Sequence, residues 1–278
     1  MKKAFSFLLT LLICVMLTAC GNSKVTEAPA PVGASPSAAP AIQTEAAESE
    51  SEPSPAPQWP EAEIPAVEPV YFHGELSRDE LCACFSELVF SSYEYSEELN
   101  SLKVLKRTSP VYCFLSGDVS DTDRAAAEDF ISSLQSVGDF PGMSLVEAEE
   151  NANLTVRFCD RAELMSAADA EADLEESDSY ISLSYDDATG EITDAVIYIR
   201  TDTISYARGA LLQRELLRSL GLFGESLHLS DSILSPSYVN VSRPSGTDLL
   251  ILSILYNSSI ACGTDSVTCM AYVRALCS

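Results

Sequence analysis

The stretch RELLRSLGLFGES, residues 214–226, contains the side chains whose types and spacing come closest to a catalytic arrangement. Glu215 lies on a predicted helix with Arg214 beside it and Arg218 one turn further on, and Gly221 is expected to end the helix. A carboxylate in such a place can act as a general base when a metal ion activates a neighbouring water. Arginine cannot hold that metal, because it keeps its proton at any relevant pH and has no lone pair to donate.

The sequence shows no pattern of histidine and cysteine side chains that would bind a transition metal. The chain has two histidines, His73 and His228, and its cysteines form no C-x-x-C pair. We therefore predict no metal, no cofactor and no confident catalytic residue, with Glu215 left at a general-base position that has little to activate. Asp231 and Asp248 could form a carboxylate pair with Glu215, as some hydrolases use, but Asp248 is explained more simply as a first-turn residue of a helix.

A structural use for these charges is an ion-pair network. Arg214 and Arg218 lie one helical turn apart and would repel each other if left alone. Glu215 precedes Arg218 at a spacing that lets the two side chains meet. Arg214 then needs another acid, for which Glu225 and Asp231 are candidates. The alternative is that these side chains are solvated on the surface of an ordinary amphipathic helix.

The N-terminus has the pattern of an export signal. Lysines and a short apolar run precede LTAC at residues 17–20, which resembles the bacterial lipobox. We predict that residues 1–20 are a lipoprotein signal peptide and that lipidated Cys20 anchors the chain to the extracytoplasmic face of the cell membrane. A plain secretory signal with an incidental cysteine is the alternative.

Two further regions follow from composition. Residues 21–69 are rich in Ala, Pro, Ser and Glu, so we predict a disordered tether, and residues 70–278 are predicted to form one domain.

The formal net charge of −26 makes nucleic acid a poor partner. Residues 159–187 are strongly acidic and could bind calcium, but the EF-hand ligand order is absent, so a solvated acidic insertion is preferred.

Seven cysteines remain after the signal is removed and Cys20 is lipidated, out of nine in the chain. An exported protein can form disulfides, and an odd number leaves at least one thiol unpaired. The sequence does not give the connectivity.

Periodicity and capping signals predict a mixed α+β domain whose later half is mainly helical. The predicted helices lie near residues 77–90, 120–138, 161–167, 204–220, 247–257 and 265–276, and the predicted strands near 109–117, 143–148, 152–158, 180–185 and 195–200. The last two strands are predicted to form a hairpin, and the 204–220 helix carries an apolar stripe of Leu212, Leu216 and Leu220.

Several of these segments together resemble the catalytic domain of metzincins, especially the matrixin type. ANLTVRF resembles the strand before the hairpin, and RELLRSLGLFGES lies where metzincins carry H-E-x-x-H-x-x-G-x-x-H. SILSP resembles the Met-turn, with Leu234 for methionine and Pro236 retained. DLLILSILYN resembles the last helix, with Asp248 and Tyr256 matching. The chain also resembles a family of bacterial lipoproteins of unknown function with a ligand-poor zincin-like domain.

The resemblance implies a small mixed sheet, an active-site-type helix and C-terminal helices. It also implies that Arg214, Arg218 and Gly224 stand where histidine ligands of zinc are lost. We therefore interpret the chain as a pseudo-metallopeptidase rather than an enzyme, a surface lipoprotein that binds an envelope protein or peptide or has a structural role. The alternatives are a hydrolase that uses Glu215 with an unrecognised metal site, and a lipoprotein that captures peptides or cations.

Overall fold

The computed structural model describes residues 61–70, 76–90, 102–168, 177–236 and 241–277. The predicted signal peptide, Cys20, most of the predicted tether and His73 lie outside the described residues, as does the middle of the acidic segment.

The secondary structure follows the predicted order, and most boundaries lie within two residues of the predicted ones. The helices are α1 Arg78–Phe90, α2 Asp121–Ser133, α3 Arg161–Ala167, α4 Ser205–Arg218, α5 Gly246–Leu255 and α6 Ser266–Leu276. The strands are β1 Val111–Gly117, β2 Met143–Leu145, β3 Leu154–Cys159, β4 Ser179–Tyr185 and β5 Ile192–Arg200. Short 3-10 turns at Leu134–Ser136 and Glu149–Asn151 follow α2 and precede β3.

The strands form one five-stranded sheet in the order β2-β1-β3-β5-β4. Neighbouring strands run parallel except for β4, which pairs antiparallel with β5 at one edge. The predicted hairpin is thus confirmed. In its turn the Asp186 carboxylate accepts hydrogen bonds from the amides of Ala188 and Thr189, and Gly190 adopts φ +74°. The α+β class predicted from the sequence is confirmed.

Local capping explains where several helices begin. Ser120 and Asp123 form a reciprocal capping box at the start of α2, and Ser245 and Asp248 form another at the start of α5. Asp265 accepts a hydrogen bond from the Thr268 amide at the start of α6. These caps satisfy amide groups that the first helical turn leaves without a carbonyl partner.

A large apolar core joins the sheet to its helices. Strands β3 and β5 contribute buried side chains, as do the α4 stripe and almost the whole inner face of α5. The Tyr256 hydroxyl, just after α5, donates to the Leu220 carbonyl at the end of α4 over 3.0 Å. The predicted packing of the α5 segment near the α4 stripe is consistent with this contact.

The described chain makes core contacts on both sides of residue 70. Val67 and Val70 are partly buried against the core. The Val70 amide also donates to the carbonyl of Leu276 in α6 over 2.6 Å. Chain-to-core contacts therefore begin a few residues before the predicted domain boundary.

Candidate functional site

The charged side chains in the second half of α4 are almost as completely buried as its apolar face. Leu212, Leu216 and Leu220 are fully buried, as the predicted stripe requires. On the other side, Arg214, Glu215 and Arg218 retain only 4%, 1% and 6% of their exposure. The sequence allowed either a cleft face or a solvated surface for these charges, and the structure shows them covered.

The covered charges form an ion-pair network with Glu225. Arg218 donates to Glu215 Oε1 over 3.1 Å and to Glu225 Oε1 over 3.0 Å. Arg214 forms an ion pair with the same Glu225 oxygen. The hydroxyl of Ser179, at the start of β4, donates to Glu215 Oε1 over 3.1 Å. Of the two acids proposed as partners of Arg214, Glu225 makes the contact, and Asp231 is exposed.

A glycine turn brings Glu225 back over α4. The chain leaves the helix through Gly221, whose φ of +112° lies in the region that favours glycine. The amide of Gly224 then donates to the Leu88 carbonyl of α1 over 2.8 Å. The network therefore depends on a turn that is fixed by backbone geometry and by a contact with the first helix.

The residues at the three ligand positions implied by the resemblance do not fit a zinc ion. The guanidinium groups of Arg214 and Arg218 are engaged with carboxylates and have no lone pair for a metal. Gly224 offers no side chain. His228 is half exposed, with its Nε2 atom 3.5 Å from Glu87 on α1. Within the described ranges, no group of three or more His, Cys, Asp or Glu side chains is arranged to hold a metal ion.

The geometry also limits Glu215 as a base. Its Oε1 atom already accepts hydrogen bonds from Ser179 and Arg218. Its Oε2 atom is buried and has no hydrogen-bond partner among the described residues. A substrate would have to displace the surrounding chain to reach either oxygen.

The turn after the network is held by Asp248. This carboxylate accepts hydrogen bonds from the Ser232 hydroxyl, from the Ile233 amide over 3.2 Å and from the Ser245 amide over 2.8 Å. Leu234, at the position of the Met-turn methionine in the resemblance, is fully buried. Burial raises the pKa of Asp248 in spite of the hydrogen bonds that favour its charged form. Asp248 thus caps α5 and fixes the turn, and it does not pair with Glu215.

A sequence model of the family described as "Protein of unknown function (DUF2927)" matches residues 78–275. The chain belongs to the DUF2927 family. The match begins at the first residue of α1 and ends within α6, so it includes the ion-pair network and the Asp248 turn. No curated protein matches the chain.

A second buried ion pair in the DUF2927 domain was not anticipated from the sequence. Arg208, on α4, forms a bidentate pair with Asp123 of α2, at 2.8 and 3.0 Å. Arg208 also donates to the carbonyl of Thr201 over 2.8 Å. The sequence did contain a signal that Arg208 lies on the same helix face as Glu215, because it precedes Glu215 by two helical turns.

Two more cations are buried in a segment that the sequence did not assign to any element. Lys106 donates to the carbonyls of Leu255 and Ile260 over 2.9 and 2.5 Å, which caps the C-terminal end of α5. Burial lowers its pKa. Arg107 donates to the carbonyls of Ser219 and Asn153 over 3.4 and 3.1 Å. Lys106 and Arg107 line a shallow pocket of about 360 Å³ beside Tyr256.

Several of the described acids of the 159–187 segment have structural partners. Asp160 caps α3 through the Glu163 amide, and Asp178 lies 3.4 Å from Arg200 on β5. Within the part of this segment that the structure describes, no calcium-type cluster is formed.

Proposed function

We propose that this DUF2927 protein is a lipid-anchored, extracytoplasmic protein whose metzincin-like domain carries an arginine–glutamate network in place of a zinc centre. In this proposal the domain acts as a non-catalytic binding or structural module at the cell envelope. Its partner is an envelope protein or peptide.

The observation that carries the proposal is the buried network of Arg214, Glu215, Arg218 and Glu225. Two guanidinium groups and two carboxylates balance in charge, and Arg214, Glu215 and Arg218 are almost fully buried. Arg214, Arg218 and the backbone of Gly224 supply no metal-binding atom at the implied ligand positions. The general-base position is held by a carboxylate that is already hydrogen-bonded.

The order of the later elements supports the metzincin-like interpretation. Strand β3 precedes the β4–β5 hairpin, and the hairpin is followed by α4, by the turn around Leu234 and by α5. This is the order that the sequence resemblance implies. The hydrogen bonds from the turn to Asp248 give the matching aspartate a structural reason to be there.

Metal analysis of the detergent-solubilised full chain tests the loss of zinc. After expression in zinc-rich medium, we expect well below one zinc per chain. We also expect a melting temperature unchanged by added zinc or by a chelator, because a bound metal would stabilise the folded state by linkage. Stoichiometric zinc, or a melting temperature that falls with chelation, would reject the proposal.

Peptidase assays separate the proposal from its main alternative, a hydrolase based on Glu215. The full chain is expected to cleave no peptide in a broad peptide library, with or without added divalent metals. Cleavage that disappears in a folded Glu215→Gln variant would instead establish the hydrolase.

Cell fractionation tests the anchor. Replacing Cys20 with serine should release the protein from the membrane or leave its signal unprocessed. Cys14→Ser, within the apolar run of the signal, is the matched control and should leave fractionation unchanged. A Cys20→Ser protein that is processed normally and stays with the membrane would contradict the anchor.

A further inference from the structure

Two thiols from opposite ends of the folded domain lie where its first and last helices pack together. Cys82 is on the first helix, α1, and Cys277 directly follows the last helix, α6. The two thiols lie close enough for each to influence the pKa of the other. Both residues are buried in the same apolar core, at 9% and 4% exposure.

The surrounding contacts hold the two thiols in place. Helices α1 and α6 pack together, and the Arg78 guanidinium donates to the Arg274 carbonyl over 2.7 Å. The amide of Cys277 donates to the Val273 carbonyl over 3.0 Å, which fixes it to the end of α6. The pair is therefore positioned by the contact of Arg78 with α6 and by the backbone hydrogen bond at the end of α6.

The other cysteines have different surroundings. Cys84 accepts a hydrogen bond from the Ser226 hydroxyl at 3.7 Å, and Cys262 contacts the Lys106 carbonyl at 3.6 Å. Burial raises the pKa of the Cys113 thiol to about 12, which makes it a poor nucleophile. Cys159 packs in a separate small cluster, and Cys269 is fully buried.

We propose that Cys82 and Cys277 form a disulfide that joins the first and last helices of the domain. The bond forms by thiol–disulfide exchange with an oxidised disulfide donor, R–S–S–R. The Cys82 thiolate attacks one donor sulfur and releases RS⁻, which gives a mixed disulfide. The Cys277 thiolate then attacks the Cys82 sulfur and releases the second RS⁻. The protein loses two electrons and two protons, and the donor leaves as two RSH.

The surroundings of Cys82 favour its thiolate, which is the form that exchange requires. Its pKa is lowered by the interaction with Cys277 and by the nearby Arg78 and Arg274, against the effect of burial. The bond closes nearly the whole domain into one covalent loop, and long loops restrict the unfolded chain most. Formation in the cell rests on the proposed export, because oxidising conditions are found outside the cytoplasm.

Thiol trapping and peptide mapping of the full chain test the proposal. Protein from the cell envelope is alkylated with N-ethylmaleimide before lysis and digested with trypsin. We expect the peptide of residues 79–103 to be joined to the peptide that begins at Ala275. Because residues 79–103 contain both Cys82 and Cys84, variants are needed. The link should persist in Cys84→Ser and disappear in Cys82→Ser.

A second experiment tests formation of the Cys82–Cys277 disulfide separately from the proposed export. Purified, reduced full chain is incubated with oxidised glutathione and mapped in the same way. Formation of the Cys82–Cys277 link supports the proposal, and its absence there, or a link through Cys84, overturns it. A link that forms with glutathione but is missing from envelope protein counts against the proposed export and not against the pairing.

The stability of the oxidised protein provides an independent readout. Reduction should lower the melting temperature of the oxidised chain by roughly 5–10 °C, since disulfides over long loops are strongly stabilising. The same reductant should leave the melting temperature of Cys82→Ser unchanged. An equal shift in both proteins would overturn the proposal.

Discussion

Glu215 has the surroundings of a structural carboxylate. Ser179 and Arg218 both donate to one of its oxygens, and the residue is almost fully buried. A buried ion pair is not in itself strongly stabilising, because desolvation offsets the attraction between the charges. Removing one partner is different, since it leaves an uncompensated charge in the interior.

Glu215→Gln should therefore lower the free energy of unfolding by about 2–4 kcal/mol, because Arg214 and Arg218 would share the single carboxylate of Glu225. Glutamine keeps the size of the side chain and an acceptor for Ser179, so the loss reports the charge. Chemical denaturation at neutral pH measures it. Asp231→Asn, at an exposed position, is the control and should change stability by less than about 0.5 kcal/mol. A similarly small loss for Glu215→Gln would contradict the network.

For individual residues, the sequence predicted those contacts that depend only on spacing along the chain. The Glu215–Arg218 pair follows from helix geometry, and Glu225 was one of two acids close enough along the chain to meet Arg214. Ser179 could not be predicted, because it reaches Glu215 only after the sheet has formed. The sequence left the closure of the site open, since the amphipathic pattern of α4 is the same for a surface helix and for one covered on both sides.

The chain turns away from α4 at Gly221, a position where only glycine fits. A Cβ atom on Gly221 would lie 2.5 Å from the Leu105 carbonyl oxygen and 3.1 Å from a Leu255 methyl, at a φ of +112°. Gly221→Ala should cost more than about 2 kcal/mol, since left-handed strain and a backbone clash add together. Gly138→Ala is the matched control, because nothing lies within 4 Å of its added Cβ. Denaturation midpoints compare the two variants, and equal midpoints would disprove the close approach.

Helices α2 and α4 are joined by a pH-sensitive contact. Burial opposes ionisation of Asp123, but hydrogen bonds from Arg208 and Ser120 outweigh it, and its pKa falls below the ordinary value of 3.8. A lowered pKa means that the carboxylate stabilises the fold above pH 3.8 and that this contribution is lost as the pH falls through the folded-state value.

The cost of Asp123→Asn should accordingly be largest at neutral pH and shrink on acidification below pH 3.8. Denaturant unfolding of both proteins across acidic pH measures the difference. Asp248 offers a control of opposite sign. Burial raises its pKa, so the wild type should gain stability relative to Asp248→Asn as the pH falls toward 3.8. Parallel trends for the two variants would contradict the assignment of these contacts.

The elements themselves were largely predictable because their signals are local. Three helices begin at the capping residues Ser120, Ser245 and Asp265, close to where the sequence predicts that they begin. The alternation of apolar and polar residues, together with the turn residues between the two segments, predicted β4 and β5. Contacts between distant segments were not predictable, as the burial of Lys106 and Arg107 shows. Nothing near these cations in the sequence indicates that helix-end carbonyls will receive them.

On the scale of the whole molecule, the segment that ends at residue 70 contacts the core and the C-terminal helix α6. Val67 and Val70 pack on the core, and the Val70 amide bonds to the Leu276 carbonyl of α6. The α1–α6 contact and the Cys82–Cys277 pair lie in the same part of the fold. The predicted tether would join the domain through this region. Within the described ranges, no helix is long and apolar enough to cross a bilayer.

A pair of N-terminal truncations tests whether the segment before residue 70 belongs to the folded unit. A chain that begins at residue 61 keeps both valines, whereas a chain that begins at residue 72 loses them together with the hydrogen bond to Leu276. The shorter chain should be less stable by about 1–3 kcal/mol, because it exposes apolar surface of the core and leaves the Leu276 carbonyl without its partner. Denaturant unfolding of the two chains under reducing conditions measures the difference without a contribution from a disulfide. Equal stabilities would mean that residues 61–70 only rest on the core and that the boundary predicted from composition, at residue 70, is the physical one.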